Sequence, residues 1–123
     1  MRIINLTQHV ATPEQVAEGV FEPKNKPAVL ALLSFGGVPS LEEVDNRAID
    51  LADYAIGEMP APSTNKGALI GGAPFLMSAL ERRLKGKGIR PLYSFTERIS
   101  VDETQGDTVK KISVFRHAGW VEV

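Results

Sequence analysis

The stretch from Gly67 to Leu84, Gly-Ala-Leu-Ile-Gly-Gly-Ala-Pro-Phe-Leu-Met-Ser-Ala-Leu-Glu-Arg-Arg-Leu, constrains the fold more than any other part of the chain. A short apolar strand, Ala68 to Ile70, runs into Gly71-Gly72, and a helix opens at once with Pro74 near its first turn. Proline suits that position because the N–H it lacks has no partner inside the helix. Glycines between a buried strand and a helix let a ligand approach the backbone. The helix start behind them offers free N–H groups and partial positive charge, which favours a phosphate. The structural alternative is an ordinary tight strand-to-helix turn. Neither G-x-G-x-x-G nor G-x-x-x-x-G-K-[ST] is complete, which argues against a dinucleotide enzyme or a P-loop NTPase.

The flanking segments extend this unit into a small α/β domain. Arg2 to Thr7 reads as a first strand, and Thr12-Pro-Glu-Gln15 as a capping box opening a helix over 13–19 that Gly19 ends. Residues 21–26 read as a loop, and Pro27 opens a helix over 28–34. Ser40-Leu-Glu-Glu43 is a second capping box, and the apolar stripe Leu41, Val44, Ala48, Leu51, Ala52, Ala55 predicts a helix over 41–57. Residues 60–66 read as a loop. The helix after Pro74 buries Leu76, Leu80 and Leu84. Residues 90–96 read as a strand, and 99–101 with 109–114 as a hairpin around the polar turn Asp102 to Asp107. Residues 120–123 form a sheet-edge segment. The expected fold is a single Rossmann-like, three-layer α/β domain over 1–123, with a mostly parallel sheet and a C-terminal β-hairpin.

Composition narrows the function. Fourteen basic residues against fifteen acidic leave a net charge of −1, too little for a protein that grips long duplex nucleic acid. A small anionic ligand needs only a local site. There is no cysteine, so disulfides, zinc–cysteine sites and thiol nucleophiles are absent. The N-terminus turns polar too early for a signal peptide and no apolar run would span a bilayer, which leads to the expectation of a cytoplasmic protein with no membrane partner. Two histidines without H-E-x-x-H spacing do not make a zinc site, so neither a metal nor a cofactor is expected. Ser94 and Ser78 lie outside any G-x-S-x-G elbow, and no Ser-His-Asp order can be read.

In an open α/β sheet, ligands lie beyond the carboxyl ends of the strands. Three segments would meet there: 5–12, Gly71-Gly72, and 94–98. Asn5, Thr7, Gln8, Gly71, Gly72, Arg98 and Arg116 are the candidate phosphate- or nucleotide-binding residues, and His9 and His117 the candidate proton-transfer groups. For each of them a structural role, as loop capping, backbone bonding or surface ion pairing, stays open. A metal-independent route fits these residues: an RNA 2′-hydroxyl attacks its own phosphate while His and Arg handle protons and charge.

The segment from Ile3 to Gln15, Ile-Ile-Asn-Leu-Thr-Gln-His-Val-Ala-Thr-Pro-Glu-Gln, resembles the first strand-loop-helix of small CRISPR-associated ring nucleases, which are CARF-like and Rossmann-like. The later Ile70-Gly-Gly-Ala-Pro-Phe75 and Gly88-Ile-Arg-Pro-Leu-Tyr93 resemble the second half of such domains, while residues 25–60 depart from the pattern. The resemblance implies an antiviral-defence hydrolase that binds and cleaves cyclic oligoadenylate as a homodimer without metal. Two rivals remain: a non-catalytic nucleotide sensor or sponge at the same edge, and an assembly protein that uses the hairpin and the Trp120 edge and has no small-molecule site.

Overall fold

The computed structural model describes residues 1–59 and 65–123. In chain order the elements are β1 (Arg2–Leu6), α1 (Pro13–Ala17), β2 (Val20–Phe21), α2 (Lys26–Leu33), α3 (Leu41–Gly57), β3 (Lys66–Ile70), α4 (Pro74–Gly86), β4 (Arg90–Gln105) and β5 (Thr108–Glu122). One five-stranded sheet runs in the order β2-β1-β3-β4-β5, parallel except for the final β4–β5 pair. This is the α/β architecture expected, with an antiparallel C-terminal pair. The loop expected over 60–66 lies outside the described residues for 60–64, and Lys66 already belongs to β3.

Strand alternation divides the core between the two faces of the sheet. Ile4, Leu6, Ala68 and Ile70 point to one face, where α2, α3 and α4 bury Val29, Leu51, Ala55, Leu76, Leu80 and Leu84 against them. Ile3, Leu69 and Leu92 point to the other face with Val20, and Ala11 and Trp120 pack there. The short α1 flanks that thinner second side.

Helix ends follow local chemistry. Thr12 and Gln15 form the reciprocal capping box, with Gln15 N donating to Thr12 Oγ1 at 3.2 Å and Thr12 N to Gln15 Oε1 at 3.0 Å. At α3 only half of the expected box forms. Ser40 Oγ accepts from Glu43 N, while the Glu43 side chain is drawn to Arg47 at 3.1 Å. Asn25 caps α2, which therefore starts one residue before Pro27. Gly19 sits at φ +109 with its α-carbon packed on Met1, where a Cβ would lie 2.2 Å from the Met1 carbonyl oxygen.

Two features differ from the sequence expectation. Val20–Phe21 is a short edge strand parallel to β1, where a loop was expected. Two residues carry too little alternation to read as a strand, and pairing with β1 supplies the order. At the C-terminus, the expected strand, hairpin and edge segment are one ribbon of two long strands. Only Arg90–Leu92 pairs with β3; the rest of β4 continues past the sheet, paired with β5 alone. The turn is two residues, Gly106-Asp107. Gly106 has φ +62 and Asp107 does not have positive φ, the signature of a type II′ turn. A bulge between Phe95 and Thr96 leaves Ala118 without a partner: Phe95 faces Gly119 and Thr96 faces His117.

Candidate active site

The chain leaves β1 toward β2 on one side and leaves β3 toward β4 on the other. The carboxyl ends of β1 and β3 are therefore the topological switch point of the sheet, where a crevice opens. Register shows what lines it. Asn5, Leu69 and Leu92 form one row across β1, β3 and β4. Two residues further along the same strands come Thr7, Gly71 and Ser94, and all three line a cleft of about 350 Å³. Gln8 and His9 close one side of it, and Thr12 and Gln15 at the start of α1 close another.

Beneath the cleft, a polar cluster built around one buried asparagine holds the β1–α1 loop. Asn5 is fully buried. Its Oδ1 accepts from Thr7 N at 3.0 Å and Thr7 Oγ1 at 2.7 Å, and its Nδ2 donates to the His9 carbonyl at 2.7 Å and to Glu22 at 3.0 Å. Glu22 also accepts from Ala11 N at 3.1 Å. Lys26 Nζ donates to Glu22 at 3.2 Å and to the Thr7 carbonyl at 2.9 Å. Burial raises the Glu22 pKa, but the hydrogen bonds from Asn5, Ala11 and Lys26 outweigh it and hold the carboxyl below its ordinary value of 4.5. A lowered folded pKa adds stability above the unfolded value, and that stability is lost as pH falls through the folded one. Unfolding curves of the protein and its Glu22→Gln variant should therefore differ at neutral pH and converge as the pH drops below about 4; a gap unchanged by acid would contradict this account.

On the β3 side, Gly72 has φ +137, a conformation that side chains resist, and a Cβ on Gly71 would meet only Thr7 Cγ2 at 3.7 Å. No side chain caps α4, whose N-cap is Ala73. Gly71 and Gly72 thus bring bare backbone to the cleft, while Ala73 and Phe75 at the α4 start line a neighbouring hollow with Gln8 and Gly72.

The β4 side holds an arrangement the sequence did not disclose. Ser94 Oγ lies 2.5 Å from His117 Nδ1, and His117 Nε2 lies 3.3 Å from Glu18 Oε2. The His117 side chain is only 1% exposed, whereas that of Glu18 is 43% exposed. The Trp120 ring packs on the imidazole, with centroids 4.4 Å apart. An ionised Glu18 carboxylate can only accept, so it selects the tautomer with hydrogen on Nε2 and leaves Nδ1 free to accept the Ser94 hydroxyl proton.

The expected site residues therefore separate. Thr7, Gln8, His9, Gly71 and Gly72 line the cleft. Asn5 lies under it and positions the loop. His117 reaches the cleft through Ser94. Arg98 and Arg116 are carried away along the ribbon because β4 runs on past residue 96: the Arg98 guanidinium lies 5.5 Å from the Phe115 ring centre, and Arg116 lies 3.7 Å from Glu97. Sequence reasoning brought the 94–98 segment to this edge but gave Ser94 no role, and it passed over Glu18, Glu22 and Lys26. The Ser94–His117 contact spans 23 residues and the His117–Glu18 contact 99, and no spacing rule reaches that far. Among the described residues, no group of three or more His, Asp or Glu side chains is placed to hold a metal ion, and no helix is long and apolar enough to cross a membrane.

A family model matches residues 1–121, and its description is Uncharacterized protein MJ1673 family. No curated protein and no solved structure matches the chain.

Proposed function

The chain belongs to the MJ1673 family, and from the cleft itself we propose that it is a cytoplasmic nucleotide-binding phosphodiesterase that needs no metal, acting on cyclic oligoadenylate or a related RNA-like second messenger. One observation carries the reading: the bare Gly71-Gly72 backbone just ahead of α4, the exposed His9 and the His117-backed Ser94 hydroxyl all meet at the switch-point cleft. The cleft volume lies in the range of small-molecule sites. A phosphate seated against the Gly71-Gly72 backbone gains the N–H groups and partial charge of the α4 start. His9, on the rim, is positioned to protonate a departing ribose oxygen. The ring-nuclease resemblance of the Ile3–Gln15 segment supports the choice of messenger.

A second reading, assembly without a small-molecule site, is favoured by the ribbon. Beyond Ser94 it is a lone two-stranded structure, which is marginal in water. It exposes Phe95, Val109 and Phe115 at 56%, 61% and 69%. A homodimer that covers these side chains satisfies either reading.

Thermal shift against linear and cyclic oligoadenylates with chelator present, followed by product analysis and sedimentation of the same samples, separates the possibilities. The proposed enzyme gives a concentration-dependent rise in Tm for a cyclic ligand, and linear products. A shift without products indicates a sponge. A dimer with no shift for any nucleotide selects assembly and overturns the proposal.

A further inference from the structure

We infer that Ser94 is the nucleophile of this site, activated by His117 as base and with Glu18 as the residue that positions the imidazole. The inference rests on the phosphodiesterase reading for its substrate class, a phosphate diester, and replaces the ribose 2′-hydroxyl with a protein oxygen as the attacking group. Three observations carry it. Ser94 lines the cleft, so its oxygen faces the space a ligand would occupy. The Oγ–Nδ1 separation of 2.5 Å is a hydrogen bond along which a proton can pass. His117 is shielded from water, and its other nitrogen is held by a carboxylate, so both the tautomer and the ring orientation are set before substrate arrives. The arrangement mirrors the familiar hydrolase order, with serine on Nδ1 and carboxylate on Nε2.

The step balances without a further reactant. His117 Nδ1 takes the Ser94 hydroxyl proton as the Oγ–P bond forms and the bond from phosphorus to the leaving ribose oxygen breaks. The departing alkoxide takes a proton from His9. Water then attacks the seryl phosphodiester, returning a proton to His9, and Ser94 Oγ takes back the proton held on His117 as the phosphate monoester leaves.

A fluorophosphonate probe tests this without knowledge of the substrate. It labels an activated serine by forming an Oγ–P bond and expelling fluoride. Intact-mass and peptide analysis of the folded protein at pH 8 should show a single adduct on Ser94. Ser94→Ala should abolish it. His117→Asn should slow labelling at least about a hundredfold, the scale of general-base catalysis, and Glu18→Gln should shift the pH profile of labelling. Thermal unfolding of each variant confirms that it is folded, and Ser94→Ala, which removes only one oxygen, is the reference if His117→Asn is unstable. The absence of a Ser94 adduct in the wild-type protein, or labelling indifferent to His117→Asn and Glu18→Gln, overturns the inference. Oligoadenylate thermal shift on the same samples keeps the two claims apart. Ligand binding without Ser94 labelling overturns the nucleophile and spares the nucleotide reading. Labelling without nucleotide binding supports the nucleophile and removes the phosphodiester as its substrate.

Discussion

Asn5→Ala is expected to cost about 3 kcal/mol and to lower Tm by roughly 10 °C, because each buried polar group left without a partner costs about 1–3 kcal/mol and a domain of this size loses a few degrees per kcal/mol. The substitution removes four bonds at once, from Thr7 N–H, the Thr7 hydroxyl, the His9 carbonyl and Glu22, although the Thr7 hydroxyl and His9 carbonyl still bond each other and Glu22 keeps Ala11 and Lys26. Lys26 bonds the same loop and absorbs part of the loss, which keeps the figure below the simple sum. The second consequence concerns the loop. Thr7 to His9 forms one wall of the cleft, so ligand-induced stabilisation should fall along with intrinsic stability. Chemical denaturation with and without ligand reads both. A variant that matches wild type in stability would show that the polar cluster contributes nothing net.

Leu80→Ala should destabilise as much or more, by about 2–5 kcal/mol, the range for emptying a buried leucine site. Leu80 is fully buried where α4 meets the sheet. Its effect differs in kind from that of Asn5→Ala. Leu80 faces the helical layer, away from the face that carries Ser94 and His117, so the folded fraction should label with fluorophosphonate at the wild-type rate. Denaturant midpoints and labelling rates measured below the transition test both statements. A loss of labelling in the folded variant would mean that α4 packing sets the cleft geometry.

The contrast between these two residues shows where sequence reasoning reaches. Leu76, Leu80 and Leu84 fall at helical spacing, so the buried face of α4 could be read from periodicity. The Thr12 capping box and the Gly71-Gly72 turn are likewise local, set by residues within a few positions of one another, and both formed as expected. Asn5 carried no such pattern. Its partner Glu22, and Lys26 which bonds Glu22 and the same loop, follow β2 in the chain and are brought alongside β1 by the β2 pairing, a two-residue strand too short to announce itself. Ser94 and His117 were hidden for a related reason. They meet because β4 and β5 pair along their whole length, and a reading that broke this ribbon into a strand, a hairpin and an edge segment lost the register that joins them. His117 was singled out correctly as a chemical group, but Arg116 and Arg98 were grouped with it by sequence proximity: Arg116, the next residue along the strand, points to the opposite face, and Arg98 shares the face of Ser94 but lies farther out along the ribbon.

The Ala118 bulge has a consequence for how this chain can change in length. Residues three apart in a regular strand face opposite ways, yet His117 and Trp120 share a face because the unpaired Ala118 makes up the difference. The distant Gly106-Asp107 turn fixes the pairing of every residue between it and the bulge, and a one-residue slip would turn His117 away from Ser94. Insertions toward the tip are then silent at the cleft when they come in matched pairs, one on each strand, and disruptive when they come singly. Across homologous chains, ribbon length should vary in even steps, like a ladder extended by whole rungs, while the distance from Ser94 to the bulge stays constant.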